Sequence, residues 1–415
     1  MKIQSMEGGI CAARGFRAAR CAAGIKYQGR DDMAMIFSEA PCGAAGTFTS
    51  NRVKAAPVLW DQEIVRAGHP VQAVVVNAGI ANAATGAQGL ALCSATAAAA
   101  GQVLSIPKTS VLLGSTGVIG PQLPVEKIVF GIAAMSLSLS ETPEAATAAS
   151  RAIMTTDTVN KETAVAFSLP AADGKGEVTV HLGGMSKGSG MIHPNMCTML
   201  AYLTSDCAID PALMQKALSE VVQDTFNMIS VDGDTSTNDT LLLLCNGLAG
   251  NAPIREEGEA YSLFREALFT VCRNLAVRMA ADGEGATHLV EMRVTGADTK
   301  ENARILARSV VSSSLVKAMV YGRDANCGRI LCALGYAGPA FDPDRVDLFL
   351  EGPEDRLCFC RDGQVLSFDE EKALALMSAD EVRFTCDLKM GEAEATAWGC
   401  DLTLDYVRIN GDYRS

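Results

Sequence analysis

Lys187-Gly-Ser-Gly-Met-Ile-His-Pro-Asn-Met-Cys-Thr-Met-Leu200 opens as a glycine-rich turn, passes one proline and becomes an apolar run that reaches Leu203. The pattern predicts a buried strand over Met199–Thr204. One small hydroxyl residue, Thr198, stands at its entrance. A threonine hydroxyl is a poor nucleophile until a base removes its proton. A threonine at a chain terminus carries its own base, an α-amine with a pKa of roughly 7.7–8.0. Thr198 is internal as encoded, so that chemistry requires cutting the Cys197–Thr198 bond.

A second stretch supplies what such a nucleophile needs. Val111-Leu-Leu-Gly-Ser-Thr-Gly-Val-Ile-Gly-Pro-Gln-Leu-Pro124 reads as a strand that stops at Gly114-Ser115-Thr116-Gly117. Acyl transfer creates a tetrahedral oxyanion that wants fixed donors about 2.7–3.1 Å away. A hydroxyl and an unencumbered glycine N–H at a strand end can provide them. Gly-Ser-Thr-Gly is also a common turn, and the residues alone leave both readings open.

The other elements follow from periodicity. Met33–Phe37 and the β-branched Val71–Val76 read as strands. Asn77–Gly86 reads as a tight-turn loop best explained by packing, and Gln88–Leu104 as an alanine-rich helix. Glu144–Arg151 is helical and leads into Met154-Thr-Thr-Asp-Thr158, a generic capping cluster. Val178–Leu182 alternates like a strand and leads back to the central turn. Asp210-Pro211 opens a helix running to about Met228. Ser230–Asp239 is dense in oxygen ligands, but its spacing fails a calcium loop, and solvated turn and functional loop stand even. Ala260–Ala281 and Lys300–Tyr321 are helices, separated by Asp282-Gly-Glu-Gly-Ala-Thr-His288. Past 341 the strands Val346–Leu350, Val382–Cys386 and Ala395–Val407 suggest a smaller α+β unit.

In order along the chain, these strings resemble the ornithine acetyltransferase (glutamate N-acetyltransferase) family of arginine biosynthesis. The matching strings include Gly15-Phe16-Arg17-Ala18-Ala19, Ala44–Val58, Asn77–Gly86, the Thr116-Gly117 pair, Thr155-Thr156-Asp157-Thr158, Lys187–Leu200, Gly283–Thr287 and Gly322–Arg329. The likeness covers essentially the whole chain. Cys197 stands where the family has alanine, Ile80 where it has asparagine, and Ser415 where it often ends in threonine.

The resemblance implies an α/β (α+β) fold, a layered αββα sandwich of the ornithine acetyltransferase/DmpA-like kind, with a smaller C-terminal α+β unit at about 341–415. It implies self-cleavage into residues 1–197 and 198–415, which stay together as two α plus two β chains. Thr198 is then the nucleophile, and Thr116 and Gly117 form the oxyanion hole. Lys187 meets the substrate α-carboxylate and Glu284 an ammonium. Thr155 or Thr156, a choice left open, together with Asn410 and Ser415, completes the substrate contacts. The implied substrates are N-acetylornithine and glutamate, with no cofactor; some members also accept acetyl-CoA, and no residue here decides that. Two rivals are an N-terminal-nucleophile amidohydrolase or aminopeptidase of related fold, and a non-catalytic metabolite-binding protein.

Composition narrows the partners. A formal net charge of -13 argues against nucleic acid or an anionic membrane surface. No window approaches the ~18–20 apolar residues of a membrane span. The N-terminal stretch lacks the apolar core of a signal peptide. The 14 cysteines are scattered singly, without the C-x2-C pairing of a zinc site. The expectation is a cytoplasmic enzyme with free thiols and no metal.

Overall fold

The computed structural model describes residues 3–193 and 199–412. By internal contact the chain forms two compact units. One comprises Met1–Gly188, Asn195–Gln223 and Thr235–Leu275; the other comprises Ser189–Pro194, Asp224–Asp234 and Ala276–Ser415.

The first unit is built on nine strands. Eight lie in the order Ile3–Met6, Lys161–Pro170, Glu177–Lys187, Leu200–Ser205, Thr240–Cys245, Met33–Phe48, Val71–Ile80, Val111–Val118, and Phe16–Cys21 pairs with Met33–Phe48 off this path. Met33–Phe48 is the pivot. Its first part pairs with Phe16–Cys21 and Val71–Ile80, its last six residues pair with Thr240–Cys245, and the register shifts between Phe37 and Cys42. The sequence pattern reveals only the first part, because Gly43-Ala-Ala-Gly46 lacks the bulky residues that mark a strand.

Alternation along these strands builds two cores. Ala34, Ile36, Val74, Val76 and Leu112 point inward and meet Met185, Leu200, Tyr202, Leu242 and Leu244 from the other half of the sheet. Their neighbours Met33, Met35, Ala73, Val75, Val111 and Leu113 face the opposite way. They pack on Cys93, Ala97 and Ala100 of helix Gly86–Leu104 and on Ile128, Ile132 and Met135 of helix Val125–Ser136. Each large apolar side chain so buried contributes roughly 1.5–3 kcal/mol. On the far side Phe264 sets its ring edge against Phe167, at 6.5 Å between centroids. Gly184 leaves the space taken by Val271 and Leu275. The order is helix, sheet, sheet, helix: the layered αββα sandwich.

The second unit holds a seven-stranded sheet in the order Gln364–Val365, Arg356–Arg361, Asp347–Glu351, Glu381–Asp387, Leu289–Ala297, Ala393–Cys400, Ile229–Ser230. Its strands therefore come from well before residue 341 as well as after it. Helix Lys300–Ser312 buries Ala303, Leu306, Ala307, Val310 and Val311, and Gly399 lets Val311 come close.

Three expectations are corrected. Lys300–Tyr321 is two helices, because Ser313 ends one and caps the next by accepting the Val316 N–H. The strand expected over Ala395–Val407 ends at Cys400, and Leu404–Gly411 is helical, capped by Thr403. The helix from Pro211 stops at Gln223, and a short 3-10 turn, Phe226–Met228, follows.

Candidate active site

Thr116 and Gly117 lie within the strand Val111–Val118, not beyond its end. The strand runs past Gly114 because the Asn77–Ile80 backbone continues beside it, Ala78 opposite Thr116 and Gly79 opposite Gly117. Gly117 has φ +123°, and a Cβ there would fall within the Gly79 backbone, so position and conformation both demand glycine. The first part of the Asn77–Gly86 stretch, Asn77–Ile80, is thus strand that packs against the Thr116-Gly117 pair.

Polar side chains lock this end of the strand. Ser115 Oγ donates to Asn77 Oδ1 (2.6 Å), and Asn77 Nδ2 donates to Ile80 O (2.9 Å). Asn238, buried, donates from its amide to Ala81 O (2.6 Å) and Ser115 O (2.7 Å). Thr240 Oγ1 donates to Asn238 O (2.9 Å), and the Thr240 N–H to Met199 O (2.8 Å). The residue after Thr198 and the residue before Thr116 are therefore joined through Thr240 and Asn238. Cys197, Thr198 and Ser415 themselves lie outside the described residues.

A second cluster gathers the Thr155-Thr156 loop and Lys187. Asp157 Oδ1 accepts from Lys161 Nζ (2.7 Å) and the Gly188 N–H (2.7 Å). Its Oδ2 accepts the Thr155 N–H (3.1 Å) and lies 3.8 Å from Lys187 Nζ. Burial works against the charge of Asp157. The Lys187 and Lys161 ammoniums and the Gly188 N–H outweigh it and hold the carboxyl below the usual carboxylate range. Arg30 stacks on Tyr27 (4.3 Å to the ring centroid) and donates to Met154 O (2.6 Å). Lys26, on the same loop, meets Gly79. One loop thus touches the base of both clusters.

In the second unit, Glu284 is buried, its N–H on Ser189 O (2.9 Å), and its carboxylate occupies space left by Gly190. Asn410 Nδ2 donates to Glu284 Oε2 (2.7 Å), so the terminal helix does return to this acid. Gly285, at φ +70°, allows the close approach of Thr403 and Tyr406. Asp232 accepts the N–H groups of Met191 (2.5 Å) and Ile192 (2.9 Å), clamping the turn that follows Gly190. His288 is structural: its Nδ1 lies 2.8 Å from Thr287 Oγ1 and 3.3 Å from Asp401 Oδ2.

Sequence reasoning missed Asp157, Asp232 and Asn238. The one available signal was their place in the two polar strings, Thr155–Thr158 and Ser230–Asp239; the partners that give them a role, Gly188 and Lys187 for Asp157, Met191 and Ile192 for Asp232, Ala81 and Ser115 for Asn238, are remote in sequence. Among the described residues no helix is long and apolar enough to cross a membrane.

The ArgJ family profile matches residues 17–415. The arginine biosynthesis bifunctional protein ArgJ of Symbiobacterium thermophilum is 49% identical over 415 residues, all of both chains. The protein of that name from Thermotoga neapolitana is 47% identical over 97% of this chain and 99% of its own. Among solved structures, the arginine biosynthesis bifunctional protein argJ of Bacillus halodurans matches at 44% identity with a TM-score of 0.48. That match covers 50% of this chain and 96% of the solved one.

Proposed function

The chain belongs to the ArgJ family of arginine-biosynthesis enzymes, and from that premise we propose that it cuts itself before Thr198 and moves acetyl groups through that residue. In the first stage Thr198 Oγ attacks the Cys197 carbonyl. The acyl group shifts from nitrogen to oxygen, and water hydrolyses the ester to give residues 1–197 and 198–415. The freed α-amine of Thr198 then takes the proton from its own hydroxyl, which attacks the acetyl carbonyl of N-acetylornithine. Thr116 and Gly117 donate to the developing oxyanion. Ornithine leaves, and the amine of glutamate takes the acetyl group from Thr198 to give N-acetylglutamate. Lys187 holds the α-carboxylate of each substrate. Glu284, steadied by Asn410, holds an ammonium; Thr155 or Thr156 and Ser415 complete the contacts. The two fragments assemble as two α plus two β chains. Keeping water from the acetyl-enzyme separates this transfer from hydrolysis.

The observation that carries this reading is the link Met199–Thr240–Asn238–Ser115. It ties the nucleophile's neighbour to the neighbour of the oxyanion donors inside one buried hydrogen-bonded frame. Intact-mass measurement on wild type and Thr198→Ala tests it. Two fragments with a new amino end at Thr198 are expected from the first, and one uncut, inactive chain from the second. Active wild type that is a single chain defeats the proposal. Free acetate released from N-acetylornithine with no acetylglutamate formed when glutamate is supplied would mark a hydrolase instead.

A further inference from the structure

We infer that Asp157 is a positioning residue for the substrate carboxylate, holding the Lys187 ammonium and the Thr155-Thr156 loop in the single arrangement that receives an α-amino acid. This rests on the acetyl-transfer reading, in which Lys187 meets that carboxylate. Asp157 has a fully enclosed side chain and touches both elements, which are separated by about 30 residues of chain. Its two oxygens divide the work. Oδ1 takes Lys161 Nζ and the Gly188 N–H, each at 2.7 Å, and so fixes the start of the glycine turn. Oδ2 takes the Thr155 N–H at 3.1 Å and faces Lys187 at 3.8 Å.

The two lysines are unequal partners. Lys161 is enclosed, with its side chain 0% exposed, and makes a short charge-assisted bond to Asp157. Its role is to keep a buried carboxylate ionised and in place, since a buried charge persists only when paired. Lys187 keeps 9% of its side chain exposed and stands beyond hydrogen-bonding distance of Oδ2. The carboxylate therefore aims its ammonium without occupying its donors, which stay available for a ligand oxygen. The Lys161 pair, by contrast, has closed to contact at 2.7 Å. Because donor and acceptor substrates both carry an α-carboxylate, one positioned ammonium serves both halves of the reaction.

The test compares Asp157→Asn with wild type, per cleaved chain, using N-acetylornithine, glutamate and N-acetylputrescine. The last is the donor with its carboxylate removed. KM for N-acetylornithine and glutamate should rise together by roughly 10- to 100-fold, the scale of a misplaced binding group. The kcat should stay within a few-fold, and kcat/KM for N-acetylputrescine should not change. Because asparagine leaves Lys161 without its carboxylate, Asp157→Asn/Lys161→Met is measured alongside and should give the same pattern. Asp157→Glu keeps the charge, displaces Lys187 and should give a smaller rise in both KM values. Unchanged KM values, or an equal loss with N-acetylputrescine, would overturn the role of Asp157. Wild type that forms no acetylglutamate overturns the transfer reading itself, whatever Asp157 does.

Discussion

At position 193, a few residues before the proposed cut, the surroundings decide the protonation of a histidine. Arg308 can only donate, and its guanidinium lies 3.1 Å from His193 Nε2, so that nitrogen accepts and the ring is neutral. The remaining proton sits on Nδ1, 3.0 Å from Ser230 Oγ. Burial first, and the Arg308 charge second, push the imidazole down to about 4, against a weaker upward pull from Asp234. The unfolded ring titrates near 6.5, so below that pH the unfolded chain binds the extra proton and the native one refuses it. Stability from this residue is complete above about pH 6.5 and is lost as the pH falls toward 4. NMR titration of the ring should place its midpoint near 4, and His193→Asn should flatten that part of the stability–pH curve. A ring titrating near 6.5 would mean that His193 is neither buried nor in contact with Arg308 in solution. Gly117 makes the complementary point about a residue with no side chain, since the Gly79 backbone fills the place a Cβ would take.

At the scale of elements, the terminal helix Leu404–Gly411 has the clearest separable role. It buries none of its residues, and Leu404 and Val407 are largely exposed, so it adds little to the core. It brings Asn410 onto Glu284 and places Tyr406 at the Asp232 clamp, with the Tyr406 hydroxyl 3.4 Å from Asp232. Ending the chain after Thr403 should cost only about 1–2 kcal/mol in denaturant unfolding, because few apolar contacts go with it. Acetyl transfer should fall at least about tenfold, mainly through KM, as an oriented contact is lost. A truncated chain with full activity would remove the tail from the site. This helix also shows where the sequence stopped being legible. The strand Val71–Ile80 shows as a continuous apolar run because both of its faces are buried, and the helix Glu259–Ala281 shows in its helical spacing of apolar residues. Leu404–Gly411 has no buried face, and the Gly43–Gly46 part of the strand Met33–Phe48 has only small residues, so neither leaves a pattern. The same limit holds among the candidate functional residues of each unit. Thr116, Gly117, Lys187 and Glu284 stand in recognisable strings, whereas Asp157, Asp232 and Asn238 each link their own segment to another at least 30 residues away.

Across the whole molecule, the proposed cut falls in the middle of a shared sheet. Seven of the nine strands of the first unit precede residue 198, and two, Leu200–Ser205 and Thr240–Cys245, follow it. Those two pair with each other in parallel. They are flanked by Glu177–Lys187 on one side and by the Gly43–Phe48 segment on the other, both antiparallel. Every edge of the later strands is thus closed by backbone bonds, two of the three ladders running to the earlier fragment. Leu242 and Leu244 also sit in one core with Val74, Val76 and Leu112. Separating the fragments would open those ladders and that core at once, so breaking one peptide bond should leave cooperative unfolding intact. The cleaved protein should elute from a sizing column as one species containing both fragments, and melt in a single transition. Only denaturant should release fragments of 197 and 218 residues (415 − 197 = 218). Fragments that part in native buffer, or two separate transitions with the first sheet lost alone, would show that this interleaved pairing does not hold the cut chain together.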